Sequence, residues 1–402
     1  MTTTIANGVL VEKPRVSSID VLRGVIMIIM ALDHTRDFFH ADANLYAPTD
    51  LAKTSPVLFL TRWITHFCAP TFVLLSGVAA RISLQRKSKK ELAIFLLTRG
   101  LWLILIEVTV LRFAILFNLY YDFIILQVIW VLGGSMVVLS ALVYLPELVV
   151  GIIGLIIVFG HNIFDAFPLK PEDTGFAVWA VLNQTGFLPI DDKHGVLAFY
   201  PLFPWLGIML VGYSIGMWYT KDFDAAARRK RLLLAGIGAV VLFVILRLIN
   251  GYGDPDHWSV QKNGVYTLLS FINCTKYPVS LLYTLMTLGP IFLILWWLDN
   301  REAKLLKPAL VFGRVPLFYY ILHFYLLHTL SLISYMIGSG KSLGEVDFHF
   351  GNNNFGGIPY GFGYSLGIVY LVWIGLVIFL YPICRWYNRY KSTHQHAWLS
   401  YL

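Results

Sequence analysis

Ten stretches of this chain are apolar for long enough to cross a membrane, and short polar segments separate them. They are residues 21–39, 57–83, 92–117, 123–145, 148–165, 197–219, 232–250, 277–299, 315–337 and 365–384. A helix rising 1.5 Å per residue needs about 20 mostly apolar residues to span the roughly 30 Å hydrocarbon core. The pattern predicts an all-α polytopic bundle, one integral membrane domain over 1–402 with about ten transmembrane helices. A shorter apolar piece, 265–274, precedes Tyr277-Pro278 and predicts a re-entrant or interfacial half-helix. No repeat divides the chain, and no linker separates domains.

Composition agrees with this pattern. Hydrophobic residues make up 57% of the chain and charged residues only 13%, against about a quarter charged in soluble domains. Mean hydropathy is +0.68. The net charge of +8 suggests nucleic acid only until the basic residues are located. They cluster between apolar runs instead of covering one face of a soluble domain, so no nucleic-acid partner is expected. Cys68, Cys274 and Cys384 are scattered without zinc-ligand or disulfide spacing, and no metal is expected. The first 18 residues are polar and lack a signal-peptide pattern, so the first apolar run is expected to be retained as a helix.

Charge then sets the expected orientation. Segments 1–20, 84–91, 220–231, 300–308 and 385–402 hold 17 Lys and Arg, whereas the alternate segments hold 5. The clusters RKSKK (86–90) and ARRKR (227–231) carry most of the difference. Cytoplasmic loops are enriched in Lys and Arg, so both termini, with tails 1–20 and 385–402, are expected in the cytoplasm. The outer loops differ in character. Loop 161–196 is rich in Asp, Pro and Gly, and the stretch FGNNNFGGIPYGFG (350–363) could hold sugar through ring stacking and amide hydrogen bonds or simply connect two helices.

Nine basic residues and several acidic ones lie inside or at the edges of the spans. A charge at the bilayer centre is costly and seldom idle. Arg23, Arg81, Arg99 and Arg314 fall in the inner third, Arg36, Arg62, Arg112 and Lys276 in the outer third, and Glu107 between. In the first span Arg23, Met30, His34 and Asp37 share one helical stripe, and Asp33, Arg36, Asp37 and His40 form the adjacent one. That side must face protein or a water-filled cavity. Asp33 and Asp37 can pair with Arg36 as structural locks.

His66, one turn before Pro70, falls at a depth similar to His34 on the next helix, and the two are expected to face one another. Histidine can deprotonate an acceptor amine or hydroxyl or carry an acyl group itself. Asp33 is the carboxylate expected to orient it. Lys276 at the proline kink and His323 at mid-membrane are weaker candidates. Arg99 and Glu107, two turns apart on one face, are expected to form a polar column with Arg23 or Arg314. Arg314 suits a phosphate at the inner mouth.

Four blocks carry a resemblance: SIDVLRGVIMIIMALDHTRDFF (18–39), WITHFCAPTFVLLSG (63–77), KYPVSLLYTLMTLGP (276–290) and GRVPLFYYILHFYLLH (313–328). They resemble the bacterial branch of the heparan-alpha-glucosaminide N-acetyltransferase catalytic-domain family. The first block also resembles the wider transmembrane acyltransferase superfamily, whose signature arginine and histidine correspond here to Arg23 and His34. The resemblance implies a membrane-embedded acetyltransferase. Cytoplasmic acetyl-CoA would donate, and a sugar or glycan amine or hydroxyl on the far side would accept. Arg23, Arg99 and Arg314 would hold the CoA phosphates, with His34, Asp33, His66 and His40 as catalytic candidates. Arg36, Asp37, Glu107, Lys276 and His323 would form the substrate or supporting polar network. Animal lysosomal members have an asparagine where His34 stands, and their proposed catalytic histidine lies in the following outer loop. His40, just before that loop, is its candidate counterpart.

The resemblance implies a multi-pass protein of a bacterial inner (plasma) membrane; a homodimer is compatible with it. Two other function classes remain open in the sequence. A transporter would use Asp33, His34, Arg36 and Glu107 to relay protons or bind an anion, although no repeated half or paired broken helices are visible. A non-catalytic scaffold would keep the fold and bind lipid or glycan.

Overall fold

The computed structural model describes residues 5–6, 9–10, 17–43, 45–299, 306–349, 355–394 and 396–400. Lys13, Arg15, Arg301 and Lys304, which enter the charge asymmetry, lie outside these residues, as do residues 350–354 of the glycine- and asparagine-rich loop.

The chain is predominantly helical, with little strand. A short antiparallel pair, β1 (Ile5–Ala6) and β2 (Val9–Leu10), precedes α1 (Ser17–Phe39). Then come α2 (Pro56–Thr65), α3 (Cys68–Ser83) and α4 (Lys89–Ile106), which runs through a π turn at Glu107–Leu111 into α5 (Arg112–Leu116). Strand β3 (Phe123–Leu126) leads into α6 (Val128–Leu142) and α7 (Glu147–Gly160). After α8 (Phe176–Leu182), β4 (Gly186–Pro189) and β5 (Gly195–Ala198) come α9 (Leu202–Ile215) and α10 (Ala225–Ile249). The rest comprises α11 (Gly264–Ile272), α12 (Leu281–Leu298), α13 (Lys307–Arg314), α14 (Pro316–Ser339) and α15 (Leu366–Thr393).

Among the described residues, eight helical segments are long and apolar enough to cross a membrane: Pro56–Ser83, Lys89–Leu116, Glu147–Ala166, Leu202–Tyr219, Ala225–Ile249, Leu281–Leu298, Pro316–Ser339 and Leu366–Thr393. The other two expected spans coincide with α1 and α6. α1 has the length but carries Asp20, Arg23, Asp33, Arg36 and Asp37, and α6 has 15 residues. The half-helix expected over 265–274 is α11, which ends before the irregular stretch Asn273–Ser280.

Two expectations need correction. The run 123–145 is not helical throughout: Phe123–Leu126 is a strand, paired parallel with β5, which also pairs antiparallel with β4. A short apolar run such as Phe-Ile-Ile-Leu reads equally as buried strand or buried helix. Loop 161–196 is likewise partly regular, holding α8, β4 and the start of β5.

Glycines set the helix packing. Without a hydrophobic force between helices in lipid, close backbone approach at small residues is a main source of association. A Cβ on Gly24 of α1 would run into the Ala309 carbonyl of α13, and one on Gly313 would run into the Asp20 carbonyl. Gly77 and Gly212 join α3 to α9, Gly100 and Gly133 join α4 to α6, and Gly154 and Gly207 join α7 to α9 in the same way. α1 sits at the centre, packed on α2, α3, α12, α13, α14 and α15. The exposed apolar side chains of α10 and α15, such as Leu248, Leu371 and Ile378, face outward instead. α1 can therefore hold charges that a peripheral helix could not.

Candidate functional site

The charged end of α1 meets a matching set from α2 and the α11–α12 connection. Asp33 is bound by Arg36 one turn on (3.0 Å) and, across the helix interface, by Arg62 of α2. Arg36 also pairs with Asp37. Arg62 donates a second hydrogen bond to the Tyr277 hydroxyl (3.2 Å), which lies 3.5 Å from the Tyr200 hydroxyl. Asp33, Arg36 and Lys276 are buried. A buried carboxylate with two guanidinium partners has its charge compensated, where an isolated one would be prohibitive.

Beside this network lies a small, partly open cavity of about 40 Å³. Asp33, His34 and Met30 line it from α1, Thr65 from the end of α2, and Cys68, Ala69 and Phe72 from the start of α3. Gln127, Val128, Tyr200, Lys276 and Tyr320 close it from four other parts of the chain. Its wall mixes polar groups (Asp33, His34, Gln127, Lys276) with apolar ones (Met30, Phe72, Val128) in about equal measure, and convergent polar groups of this kind orient a bound small molecule. Glu107 stands just outside. Its carboxyl group accepts the Gln127 amide at the start of α6 (2.9 Å). The π turn beginning at Glu107 re-aims this part of the helix, as such turns often do near functional sites.

The histidines fall differently from the sequence expectation. His34 does reach the cavity, but its histidine neighbour is His323 of α14, with ring centroids 5.2 Å apart. Phe324 packs on His34 at 4.3 Å. His66 turns instead to Tyr283 of α12 (5.2 Å), whose hydroxyl donates to the His66 carbonyl. Helix rotation decides this, and equal depth does not fix it. The carboxylate nearest the His34 ring is Asp37, 3.8 Å from Nδ1, while Asp33 is occupied by the two arginines. His40 lies beyond the end of α1, bridged to Tyr364 and away from the cavity wall. His328 is held between the Ala114 carbonyl (2.8 Å) and the Gly356 carbonyl (3.4 Å) and serves packing.

At the other end of α1, Arg23 donates to Asp20 (3.2 Å) and to the Gly313 carbonyl (3.2 Å). Arg23 thus touches the residue that precedes Arg314, at the Gly24/Gly313 contact between α1 and α13. Arg99 lies over Phe95 of its own helix α4, which packs on α6. Glu107, expected in a polar column with Arg99, accepts the Gln127 amide at the start of α6.

A profile of the heparan-alpha-glucosaminide N-acetyltransferase catalytic family matches residues 15–247, more than half of the chain. The chain belongs to that family. Membership implies transferase activity in a protein with several membrane-spanning helices. No curated protein matches the sequence.

The matched segment supplies His34, Asp33, Arg62, Cys68, Gln127 and Tyr200. The region beyond it completes the cavity with Lys276 and Tyr320, and adds Tyr277 and His323 around it. Tyr200, Tyr277, Gln127 and Tyr320 escaped the sequence reading. Tyrosines are frequent in this chain, and only the fold separates these from the other aromatic residues. Arg62 was visible as an intramembrane charge, but its partner was not.

Proposed function

We propose that this protein is a bacterial transmembrane acyltransferase. It takes an acetyl or other short acyl group from cytoplasmic acyl-CoA and gives it to an amine or hydroxyl of an extracytoplasmic sugar. The observation that carries this reading is that one helix, α1, holds both ends of such a path. Arg23 at its start reaches the Gly313 carbonyl, one residue before Arg314, and His34 opens onto the cavity 11 residues later, about 16 Å along the helix. The charge asymmetry supports placing the arginine end, with both chain termini, on the cytoplasmic side of the inner membrane.

The arginines would hold the CoA phosphates through charge-assisted hydrogen bonds, and the pantetheine arm would follow α1 to the cavity. His34 would remove the acceptor proton, with Asp37 beside its Nδ1 to fix the ring and stabilise the imidazolium. Asp33, Arg36 and Arg62 would keep the local framework rigid.

Binding of labelled acetyl-CoA to the purified protein in nanodiscs tests this reading. Saturable binding, weakened at least tenfold in Arg314→Ala, is expected. No saturable binding by the wild type would favour a transporter or scaffold, and unchanged affinity in the variant would place the donor elsewhere.

A further inference from the structure

The ionisable groups gathered around the cavity do not cancel. Asp33 and Asp37 face Arg36, Arg62 and Lys276, and each carboxylate is engaged by a guanidinium. Among the described residues no carboxylate lies within salt-bridge distance of Lys276, although the nearby Asp33 carboxylate feels its charge. Its ammonium lies over the rings of Tyr277 (5.0 Å) and Tyr200 (5.8 Å), and its side chain lines the same cavity as His34. Glu107, on the far side of Gln127, is already taken up by the start of α6.

The backbone that presents Lys276 is irregular yet tied down on every side. Asp254 accepts from the Thr275 amide (3.0 Å), the Thr275 hydroxyl (2.8 Å) and the Ser280 hydroxyl (2.7 Å). His161 Nε2 contacts the Val279 carbonyl (2.8 Å), and Arg247 donates to the Asn273 carbonyl (2.6 Å). Such irregular backbone is tolerated at membrane depth where it is buried in protein or lines a cavity. A fixed positive charge lining a cavity favours a negative charge there, and needs no reorganisation when that charge forms.

From this geometry we infer that Lys276 is a catalytic residue that stabilises the oxyanion formed during acyl transfer. The inference rests on the acyltransferase reading. The acceptor lone pair forms a bond to the acyl carbon, and the carbonyl π electrons move to the oxygen facing Lys276. His34 takes the acceptor proton. Collapse restores the carbonyl, breaks the carbon–sulfur bond and expels the CoA thiolate, which takes that proton from the imidazolium.

The test compares wild type, Lys276→Met and Lys276→Arg in nanodiscs, with acetyl-CoA and fluoroacetyl-CoA as donors and CoA release as readout. Lys276→Met should lower kcat by about 100- to 1,000-fold while acetyl-CoA binds within about threefold of wild type. Its deficit should shrink at least tenfold with fluoroacetyl-CoA, because fluorine itself stabilises the oxyanion. Lys276→Arg should recover part of the rate. Normal turnover in Lys276→Met, a parallel loss of donor affinity, or the same deficit with both donors would overturn the assignment. Lys276→Gln serves if the Met variant does not fold, and failure of both to fold would make Lys276 structural. A wild type that neither binds nor consumes acetyl-CoA would instead refute the acyltransferase reading itself.

Discussion

The carboxylate of Asp33 is held by the guanidinium of Arg62, 29 residues further along the chain and on the next helix. This pair fixes the level at which α1 and α2 meet, and it accounts for a carboxylate in an otherwise apolar span. Removing one partner of a buried ion pair strands the other. Arg62→Met should destabilise the protein by about 3–5 kcal/mol. Combining it with Asp33→Asn should recover at least about 1 kcal/mol in a double-mutant cycle. Thermal unfolding in detergent measures both, and additive losses would mean the pair contributes nothing.

The Gly24/Gly313 contact predicts a sharper sensitivity than glycine substitution usually has. Gly24→Ala places a methyl against the Ala309 carbonyl, so α1 and α13 must separate and Arg23 must leave Gly313. A cost of about 1–3 kcal/mol is expected, together with weaker acetyl-CoA binding. Gly238→Ala, on α10 with open space around it, should be neutral or slightly stabilising. Equal behaviour of the two variants would contradict the packing argument.

The histidines should separate by function. His34→Ala should lose at least about a hundredfold in CoA release, the range typical of a missing general base. His66→Ala, whose ring is packed against Tyr283 and outside the cavity wall, should stay within about tenfold of wild type. The opposite ranking would move the chemistry to α2.

His40 offers a pH prediction outside the membrane spans. Burial pushes its imidazole below the ordinary histidine range; Asp42 opposes that shift and Arg36 adds to it. A base depressed in the folded state binds fewer protons there than in the unfolded chain. Its contribution is therefore present above about pH 6.5 and is lost as pH falls below that value. The unfolding temperature of wild type should drop between about pH 6.5 and 5 more steeply than that of His40→Gln. Parallel profiles would contradict the assignment.

Much of this architecture was legible in the sequence because membrane helices announce themselves. Length and apolarity located the eight clear spans, and the clustering of charge on one side of α1 placed it inside the bundle. Helical spacing also anticipated the pairing of Arg36 with Asp33 and Asp37. What stayed hidden depends on rotation and packing between helices. His34 and His66 share a depth, yet the α1–α14 interface gives His34 a different neighbour, His323. Glu107 looked like a partner for Arg99 because both lie on one helical face, but the π turn re-aims it toward backbone amides. Phe123–Leu126 looked helical because its partner strand, β5, lies some 70 residues away.

The central claim is that His34, at the cavity end of α1, removes the acceptor proton during acyl transfer. Its most direct test is release of CoA from acetyl-CoA by the protein in nanodiscs, with glucosamine as acceptor probe, compared between wild type and His34→Ala. Release by the wild type, lost in a variant that still binds acetyl-CoA, is the predicted result. Equal release by the two proteins would contradict it.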